Sequence, residues 1–143
     1  MLKVRDIMSR VVLTLAAEDS AASAAECLSR AAISGAPVRD KNGKLVGMLS
    51  QADLTNVLRA GGHRHPTVSE VMTPEVFTVY ADGPALVAAA VMAKYDIHRV
   101  AVWNAAGALT GMVTSLDLVK ALARGARFDV EVAAGPRAPD VHS

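Results

Sequence analysis

The sequence predicts an α/β fold of the α+β type, in which two β-α-β-β-α repeats pack sheet to sheet with pseudo-two-fold symmetry. Two observations and one physical argument support this fold. The chain aligns with itself at a shift of 64 positions, without a gap and with 18 identities in 58 aligned pairs. Strand-like and helix-like segments follow one another in the same order in both copies. One such unit alone would leave a face of its sheet exposed and would be marginally stable, whereas two units can cover each other.

The composition excludes several classes of protein. The chain has 143 residues, 52% of them hydrophobic and 20% charged, which excludes an intrinsically disordered protein. The net charge of +1 argues against a nucleic-acid-binding module and against nucleic acid as a partner. The longest apolar run, 85–93, is too short to span a membrane. The single cysteine cannot form an internal disulfide, and the N-terminus lacks an apolar signal segment, so we expect a cytoplasmic location.

The repeat also predicts the domain organisation. We expect one repeat over residues 1–61 and the other over 68–125, joined by a short linker at 62–67 that contains Gly62 and Pro66. The remaining residues, 126–143, contain glycine and prolines that disfavour regular structure, which predicts a flexible tail. Alternating apolar residues over 128–132 are compatible with a short edge strand.

Each copy should begin with a strand followed by a helix. The predicted first strands are Val12–Leu15 and Val76–Tyr80. The helices that follow should end near Ile33 and Ile97. In the first copy Ser20 is a candidate N-cap, and Ser23 with Glu26 has capping-box spacing. In the second copy Asp82 is a candidate cap, and Pro84 suits the first helical turn.

The second half of each copy should add two strands and a helix. The predicted strands are Ala36–Arg39 with Lys44–Leu49 in the first copy, and Val100–Trp103 with Leu109–Val113 in the second. The dipeptide Asn42-Gly43 is typical of the tight turn of a β-hairpin. The final helices should start at Ser50 and Thr114 and run to about Leu58 and Leu122.

A Ser/Thr-x-x-Asp motif opens the last helix of each copy, as Ser50 with Asp53 and as Thr114 with Asp117. One interpretation is structural, because this spacing resembles a capping box in which Asp replaces Glu. The other is functional. A hydroxyl and a carboxylate beside the amides of a helix N-terminus can bind a vicinal diol such as a ribose, since the carboxylate only accepts hydrogen bonds.

Taken together, these motifs resemble a tandem pair of CBS (cystathionine beta-synthase) domains, the Bateman module of stand-alone CBS domain-containing proteins. The resemblance covers about residues 1–125. The segments that carry it are VRDIMS (4–9) and VSEVMT (68–73), ISGAPV (33–38) and IHRVAV (97–102), the strand positions Thr14 and Thr78, and the two Ser/Thr-x-x-Asp motifs.

The resemblance implies a regulatory module that binds adenosyl ligands in two clefts between the repeats. It also implies that the chain is not an enzyme. AMP, ADP or ATP are the expected ligands, with S-adenosylmethionine or NAD as others. Thr114 and Asp117 would hold the ribose in one cleft, and Ser50 and Asp53 in the other. His98 and Arg99 would approach phosphates, for which the forked guanidinium is suited. The positions expected beside the adenine are Val12, Thr14, Pro37, Val76, Thr78 and Ala101.

The two copies also differ where ligands are expected to bind. The first copy has Ser34-Gly35 where the second has His98-Arg99, which predicts unequal clefts, at most one of them binding a nucleotide tightly. Arg10 could add charge where the second copy has Pro74. We expect no catalytic residue and no metal site, and we expect Cys27 to be a small core residue.

The expected partners are a second copy of the chain, bound through the helices to form a homodimer, and an unidentified protein. The alanine-rich helix faces would allow either close helix contact between subunits or ordinary core packing; their residues are Ala21, Ala24, Ala25, Ala85, Ala88 and Ala89. An alternative function is a structural or dimerisation module with degenerate ligand sites.

Overall fold

The computed structural model describes residues 1–11, 13–59 and 65–128 of the chain. Its helices are α1 Val4–Ile7, α2 Ala21–Ala31, α3 Gln51–Arg59, α4 Val68–Val71, α5 Ala85–Tyr95 and α6 Ser115–Ala123. Its strands are β1 Ser9–Arg10, β2 Leu15–Ala16, β3 Gly35–Arg39, β4 Leu45–Ser50, β5 Thr78–Tyr80, β6 Arg99–Trp103 and β7 Leu109–Thr114. The mixed α/β fold with two sheets predicted from the sequence is therefore confirmed.

The two sheets are built on the same plan. In one, β2 runs parallel to β3 and β3 antiparallel to β4. In the other, β5 runs parallel to β6 and β6 antiparallel to β7. The central strands β3 and β6 consist mostly of buried residues, as expected for strands that are covered by helices.

The start of each sequence repeat packs on the core of the other repeat. Val4 in α1 is fully buried with the residues of α5, α6 and β7, whereas Val68 in α4 is buried with those of α2 and β4. The exchange continues in the backbone. Ser9 in β1 pairs with Met112 in β7, and Thr73 pairs with Met48 in β4. Each spatial unit therefore combines the opening segment of one repeat with the body of the other.

The exchanged segments form ladders of different length. In the second sheet the added strand β1 includes Arg10, which pairs with Gly111. The equivalent position in the other sheet is Pro74. There the pairing is confined to an isolated bridge at Thr73, so this sheet has three strands and the other has four.

Several predicted element bounds need correction. The helices end before Ile33 and Ile97, because Ala32 and Asp96 adopt left-handed conformations with φ of 54°. The first strands are shorter than predicted: β2 contains only Leu15–Ala16, and β5 begins at Thr78 rather than Val76. The final helices start one residue later than predicted, since Ser50 and Thr114 end strands β4 and β7.

Some of the predicted N-cap interactions also need correction. Ser20 caps α2, its Oγ accepting from the amide of Ser23 at 3.1 Å, whereas Glu26 instead pairs with Arg30. Pro84 occupies the N-cap position of α5 and not its first turn, and it makes no side-chain cap. Its neighbour Asp82 forms an ion pair with Arg5 instead of capping the helix.

Other predictions lie partly or wholly outside the described residues. Val12, most of the linker and the tail beyond residue 128 belong to this group, as does the edge strand expected over 128–132. Cys27 was predicted to be a core residue, and this is wrong, because the structure places it on the exposed face of α2. Four of the six alanines proposed for helix contact between subunits are buried in the cores; they are Ala21, Ala24, Ala85 and Ala88.

Candidate functional site

A first cleft lies between the repeats at the N-terminus of α3, and we call it the Ser50 cleft. Its volume is about 300 Å³, which is at the lower end of small-molecule sites. Ser50 and Asp53 line it from the first repeat. The residues that the second repeat contributes include Thr73, Glu75, Phe77, Asp96, His98 and Arg99. A ligand in this cleft would therefore touch both repeats.

A second cleft, the Thr114 cleft, lies at the equivalent place beside the N-terminus of α6. Its volume is about 260 Å³. Thr114 and Leu116 line it from the second repeat, and the first repeat contributes Ser9, Arg10, Leu13, Ile33, Ser34 and Pro37. Most lining residues of one cleft are the counterparts, 64 positions away, of lining residues of the other. The pseudo-symmetry of the sequence is thus reproduced in the two clefts.

The carboxylate of Asp117 caps α6 and at the same time reaches across to the other repeat. Its Oδ2 accepts from the amide of Thr114 at 2.8 Å, while Thr114 Oγ1 accepts from the amide of Asp117 at 3.1 Å. Its Oδ1 accepts from Ser9 Oγ at 3.4 Å. One oxygen is therefore held by the cap, and the other faces a hydroxyl from the opposite repeat.

Asp53 repeats this arrangement in the Ser50 cleft. Its Oδ2 accepts from the amide and the hydroxyl of Ser50 at 2.9 and 3.1 Å. Its Oδ1 accepts from Thr73 Oγ1 at 3.3 Å. The capping interpretation of the Ser/Thr-x-x-Asp motif is therefore correct, and the same geometry leaves Oδ1 directed at the hydroxyl of the partner repeat. Each carboxylate oxygen can accept more than one hydrogen bond, so a diol can still be bound.

Arg99 belongs to both clefts. Its Nη2 donates to Ser34 Oγ at 3.3 Å, and its Nη1 lies against the backbone of Gly35. Burial lowers the pKa of the Arg99 guanidinium below its ordinary value, and the negative charge of Asp53 partly offsets this effect. Arginine nevertheless remains protonated in proteins, so Arg99 places one positive charge between the two clefts. The unequal distribution of His98 and Arg99 between the clefts stays a prediction: Arg99 reaches both clefts, whereas His98 is among the described lining residues of the Ser50 cleft alone.

The structure brings some of the predicted site residues together and separates others. Ser50, Asp53, His98 and Arg99 line the Ser50 cleft. Thr114, Pro37 and Arg99 line the Thr114 cleft, and Asp117 is hydrogen-bonded to two of the lining residues.

The remaining predicted residues lie elsewhere. Thr78 is exposed and lines a separate depression beside Tyr80 and Trp103. Ala101 is fully buried in β6. Thr14 and Val76 are not among the described residues that line either cleft, and Val12 lies outside the described part of the chain.

Sequence reasoning missed the hydroxyls of Ser9 and Thr73 as site residues. Both end a repeated segment, VRDIMS or VSEVMT, so the presence of a hydroxyl in each copy was a signal. It was not interpreted because the exchange of these segments between repeats was not foreseen. Phe77 and its counterpart Leu13 were also missed, although each lies one residue before a residue that was chosen.

Comparison with known families agrees with this arrangement. The family model of the CBS domain matches residues 4–60 and, again, residues 68–124. The chain belongs to the CBS domain family. Both Ser/Thr-x-x-Asp motifs lie within the matched ranges. In the described residues, no helix of this CBS pair is long and apolar enough to cross a membrane.

Solved CBS domain pairs have the same fold. The CBS domain pair of protein MJ0100, in complex with 5′-methylthioadenosine and S-adenosyl-L-methionine, has a TM-score of 0.78 and is 31% identical, over 87% of this chain and 98% of that chain. CBSX2 in complex with AMP has a TM-score of 0.69 and is 27% identical, again over 87% and 98% of the two chains.

Curated relatives include longer proteins. L-aspartate semialdehyde sulfurtransferase of Methanocaldococcus jannaschii is 34% identical over 115 residues, which are 80% of this chain and 22% of the relative. Inosine-5′-monophosphate dehydrogenase of Halobacterium salinarum is 33% identical over 132 residues, which are 87% of this chain and 26% of the relative. The chain thus spans about a quarter of the length of these two enzymes.

Proposed function

We propose that this CBS pair is a regulatory module of the cytoplasm and not an enzyme. It binds an adenosyl ligand in the clefts between its repeats and signals to a partner protein or to its own dimer. The observation that carries the proposal is the placement of Asp53 and Asp117. Each carboxylate caps a helix through one oxygen, and its other oxygen accepts from a hydroxyl of the opposite repeat that lines a cleft.

The chemistry of these carboxylates suits a ribose. The 2′ and 3′ hydroxyls of a ribose are two neighbouring donors, and Oδ1 of Asp117 accepts only. The hydroxyl of Ser9, which now donates to this oxygen, can instead bind a ribose oxygen. The helix N-terminus adds its positive dipole end to the same place. Thr73 is the equivalent of Ser9 in the other cleft, where its hydroxyl donates to Oδ1 of Asp53.

Apolar side chains beside each carboxylate suit the base. Phe77 and Ile97 line the Ser50 cleft, and their counterparts Leu13 and Ile33 line the Thr114 cleft. A flat base buried between such side chains would gain roughly 25 cal/mol for each Å² of apolar surface removed from water. AMP, ADP and ATP remain the first candidates, and S-adenosylmethionine and NAD share the same adenosine group.

A bound ligand can transmit a signal because each cleft is lined by residues of both repeats. A ligand in either cleft would contact a helix N-terminus of one repeat and loop or strand residues of the other, so its affinity depends on how the repeats are arranged. A ligand shifts such an equilibrium only by the difference between its affinities for the two arrangements. Binding therefore favours the arrangement in which both walls contact the ligand, and a partner that contacts both repeats can detect the change.

Isothermal titration of the chain with AMP, ATP, S-adenosylmethionine and NAD tests the proposal. We expect at least one of them to bind with micromolar affinity, and the Asp53→Asn, Asp117→Asn double variant to lose that binding. Glu70→Gln is the matched control, because Glu70 forms the same capping box with Thr67 at α4. Failure of all four ligands to bind the wild-type chain would contradict the proposal, as would equal binding by the double variant.

An alternative function, a structural or dimerisation module, is favoured by a different observation. Large apolar side chains are exposed on α5 and α6; they are Leu86, Val87, Leu116, Val119 and Leu122. Such a surface is typical of an interface with another chain. Sedimentation that gives the same dimer mass with and without nucleotide, together with titrations that detect no ligand binding, would support this alternative. Changing Leu116 and Val119 to serine should then yield a monomer.

A further inference from the structure

The two clefts share one framework but differ in charge. In the Ser50 cleft, Glu75 and Asp96 add two carboxylates to that of Asp53. Among the described residues that line this cleft, Arg99 is the one whose side chain is always positively charged. The counterparts of Glu75 and Asp96 in the Thr114 cleft are Val11 and Ala32. Two carboxylates in one cleft are thus replaced by apolar side chains in the other.

More arginine side chains line the Thr114 cleft than the Ser50 cleft. The Thr114 cleft is lined by Arg10 and Arg99, and no carboxylate is among its described lining residues. Asp117 borders it and is already hydrogen-bonded to Ser9 and Thr114. In the Ser50 cleft the counterpart of Arg10 is Pro74, which carries no charge. Moreover, the Arg99 guanidinium contacts Gly35, a lining residue of the Thr114 cleft.

Neither of the two extra carboxylates is required by the backbone or by a side-chain contact with another described residue. Asp96 adopts a left-handed conformation, but Ala32 adopts it with the same φ of 54°, so the backbone does not require an acidic side chain there. Neither Glu75 nor Asp96 forms a side-chain hydrogen bond or an ion pair with another described residue. Both carboxylates therefore add negative charge to the Ser50 cleft, which Arg99 also lines.

We propose that the two clefts select adenosyl ligands by the charge at the 5′ position, an inference that rests on the proposed function. The Thr114 cleft takes a phosphate-bearing, anionic ligand, because Arg10 and Arg99 can both donate charge-assisted hydrogen bonds to phosphate oxygens. The Ser50 cleft takes a neutral or cationic adenosyl ligand, because Glu75 and Asp96 repel a phosphate and attract a positive group. The chain then responds to two ligands and not to one.

Titration with AMP and with 5′-methylthioadenosine tests the inference, because the second compound keeps the adenosine and lacks the phosphate. We expect one equivalent of AMP to bind to the wild-type chain. Arg10→Gln should weaken AMP binding by about tenfold, the effect of one charge-assisted contact. Arg30→Gln is the matched control, since Arg30 is an exposed residue of α2 that lies outside both clefts.

Exchanging the carboxylates for their counterparts gives the reciprocal test. The Glu75→Val, Asp96→Ala double variant should bind a second equivalent of AMP, and Glu75→Gln, Asp96→Asn should do the same if the apolar pair impairs folding. Two equivalents of AMP on the wild-type chain, or an unchanged stoichiometry in both double variants, would overturn the inference while leaving adenosyl binding intact. Failure of both compounds to bind the wild-type chain would overturn the proposed function as well.

Discussion

The guanidinium of Arg99 lies against the backbone of Gly35, and these two residues occupy equivalent positions in the two repeats. A Cβ atom on Gly35 would collide with Nη1 of Arg99 and would lie only 2.9 Å from the carbonyl oxygen of Leu49. One repeat therefore has arginine where the other has no side chain at all, because the arginine crosses between the repeats and fills the space. The asymmetry of the sequence at this position follows from the approximate symmetry of the fold.

Gly35→Ala should destabilise the fold by about 1–3 kcal/mol, the usual cost of overpacking a filled site. Part of this cost should disappear in the Arg99→Ala background, because the guanidinium that clashes is gone. Urea unfolding of the two single variants and the double variant measures this coupling. Gly43→Ala is the control, since its Cβ meets no atom within 4 Å and only its φ of 80° is unfavourable. Strict additivity of Gly35→Ala and Arg99→Ala would show that the contact is not made in solution.

Arg99→Gln should weaken AMP binding by about 10- to 100-fold, because a charge-assisted hydrogen bond contributes roughly 1.5–3 kcal/mol. Arg99→Lys should not restore the affinity. The compact ammonium lacks the fork that reaches Ser34 and a phosphate together. Calorimetric titration of both variants measures the effect. Full affinity in the lysine variant would mean that only charge, and not the geometry of the guanidinium, matters.

The exchange of opening segments predicts which half of the molecule responds to a core mutation. Val4 is fully buried, so Val4→Ala should cost about 2 kcal/mol. Because Val4 packs with the core of the second repeat, amide hydrogen exchange should accelerate in α5 and α6 before α2.

Val68→Ala is the matched variant, because Val68 is equally buried in the other core. It should accelerate exchange in α2 and not in α5. A response of Val4→Ala confined to α2 would contradict the exchange of segments.

Cys27 should react with a thiol reagent in the native protein, because the structure places it on the exposed face of α2. The reaction with a disulfide dye should be complete without denaturant and should consume one equivalent. The sequence alone suggested a core position, since the counterpart of Cys27 is Val91 on α5. Reaction only after unfolding would restore that interpretation.

Much of this structure could be predicted because it is local. Periodicity and the self-alignment gave the order of strands and helices, and the Ser/Thr-x-x-Asp spacing located both helix N-termini. The Asn42-Gly43 turn likewise lies in a predicted hairpin, with Gly43 at a φ of 80°. Each of these features depends on neighbours within a few positions, which a single sequence displays directly.

What could not be predicted depends on contacts between distant segments. The repeat placed Val4 with its own copy, and only packing reveals that it belongs to the other core. The contacts of Arg99 with Ser34 and of Ser9 with Asp117 join residues 65 and 108 positions apart. The ends of α2 and α5 were predicted too late for another reason. Alanine at position 32 and aspartate at position 96 predict the end of a helix less strongly than glycine would, yet both adopt the left-handed conformation.

The central claim is that an adenosyl ligand binds at the capped helix N-termini. Amide chemical shifts of the ¹⁵N-labelled chain, followed during titration with AMP, test it most directly. We predict saturable shifts at Thr114 and Asp117, beside the cleft proposed to take AMP, and none at the matched capping box of Thr67 and Glu70. Saturable shifts confined to other surfaces, or the absence of any shift at millimolar AMP, would contradict the account.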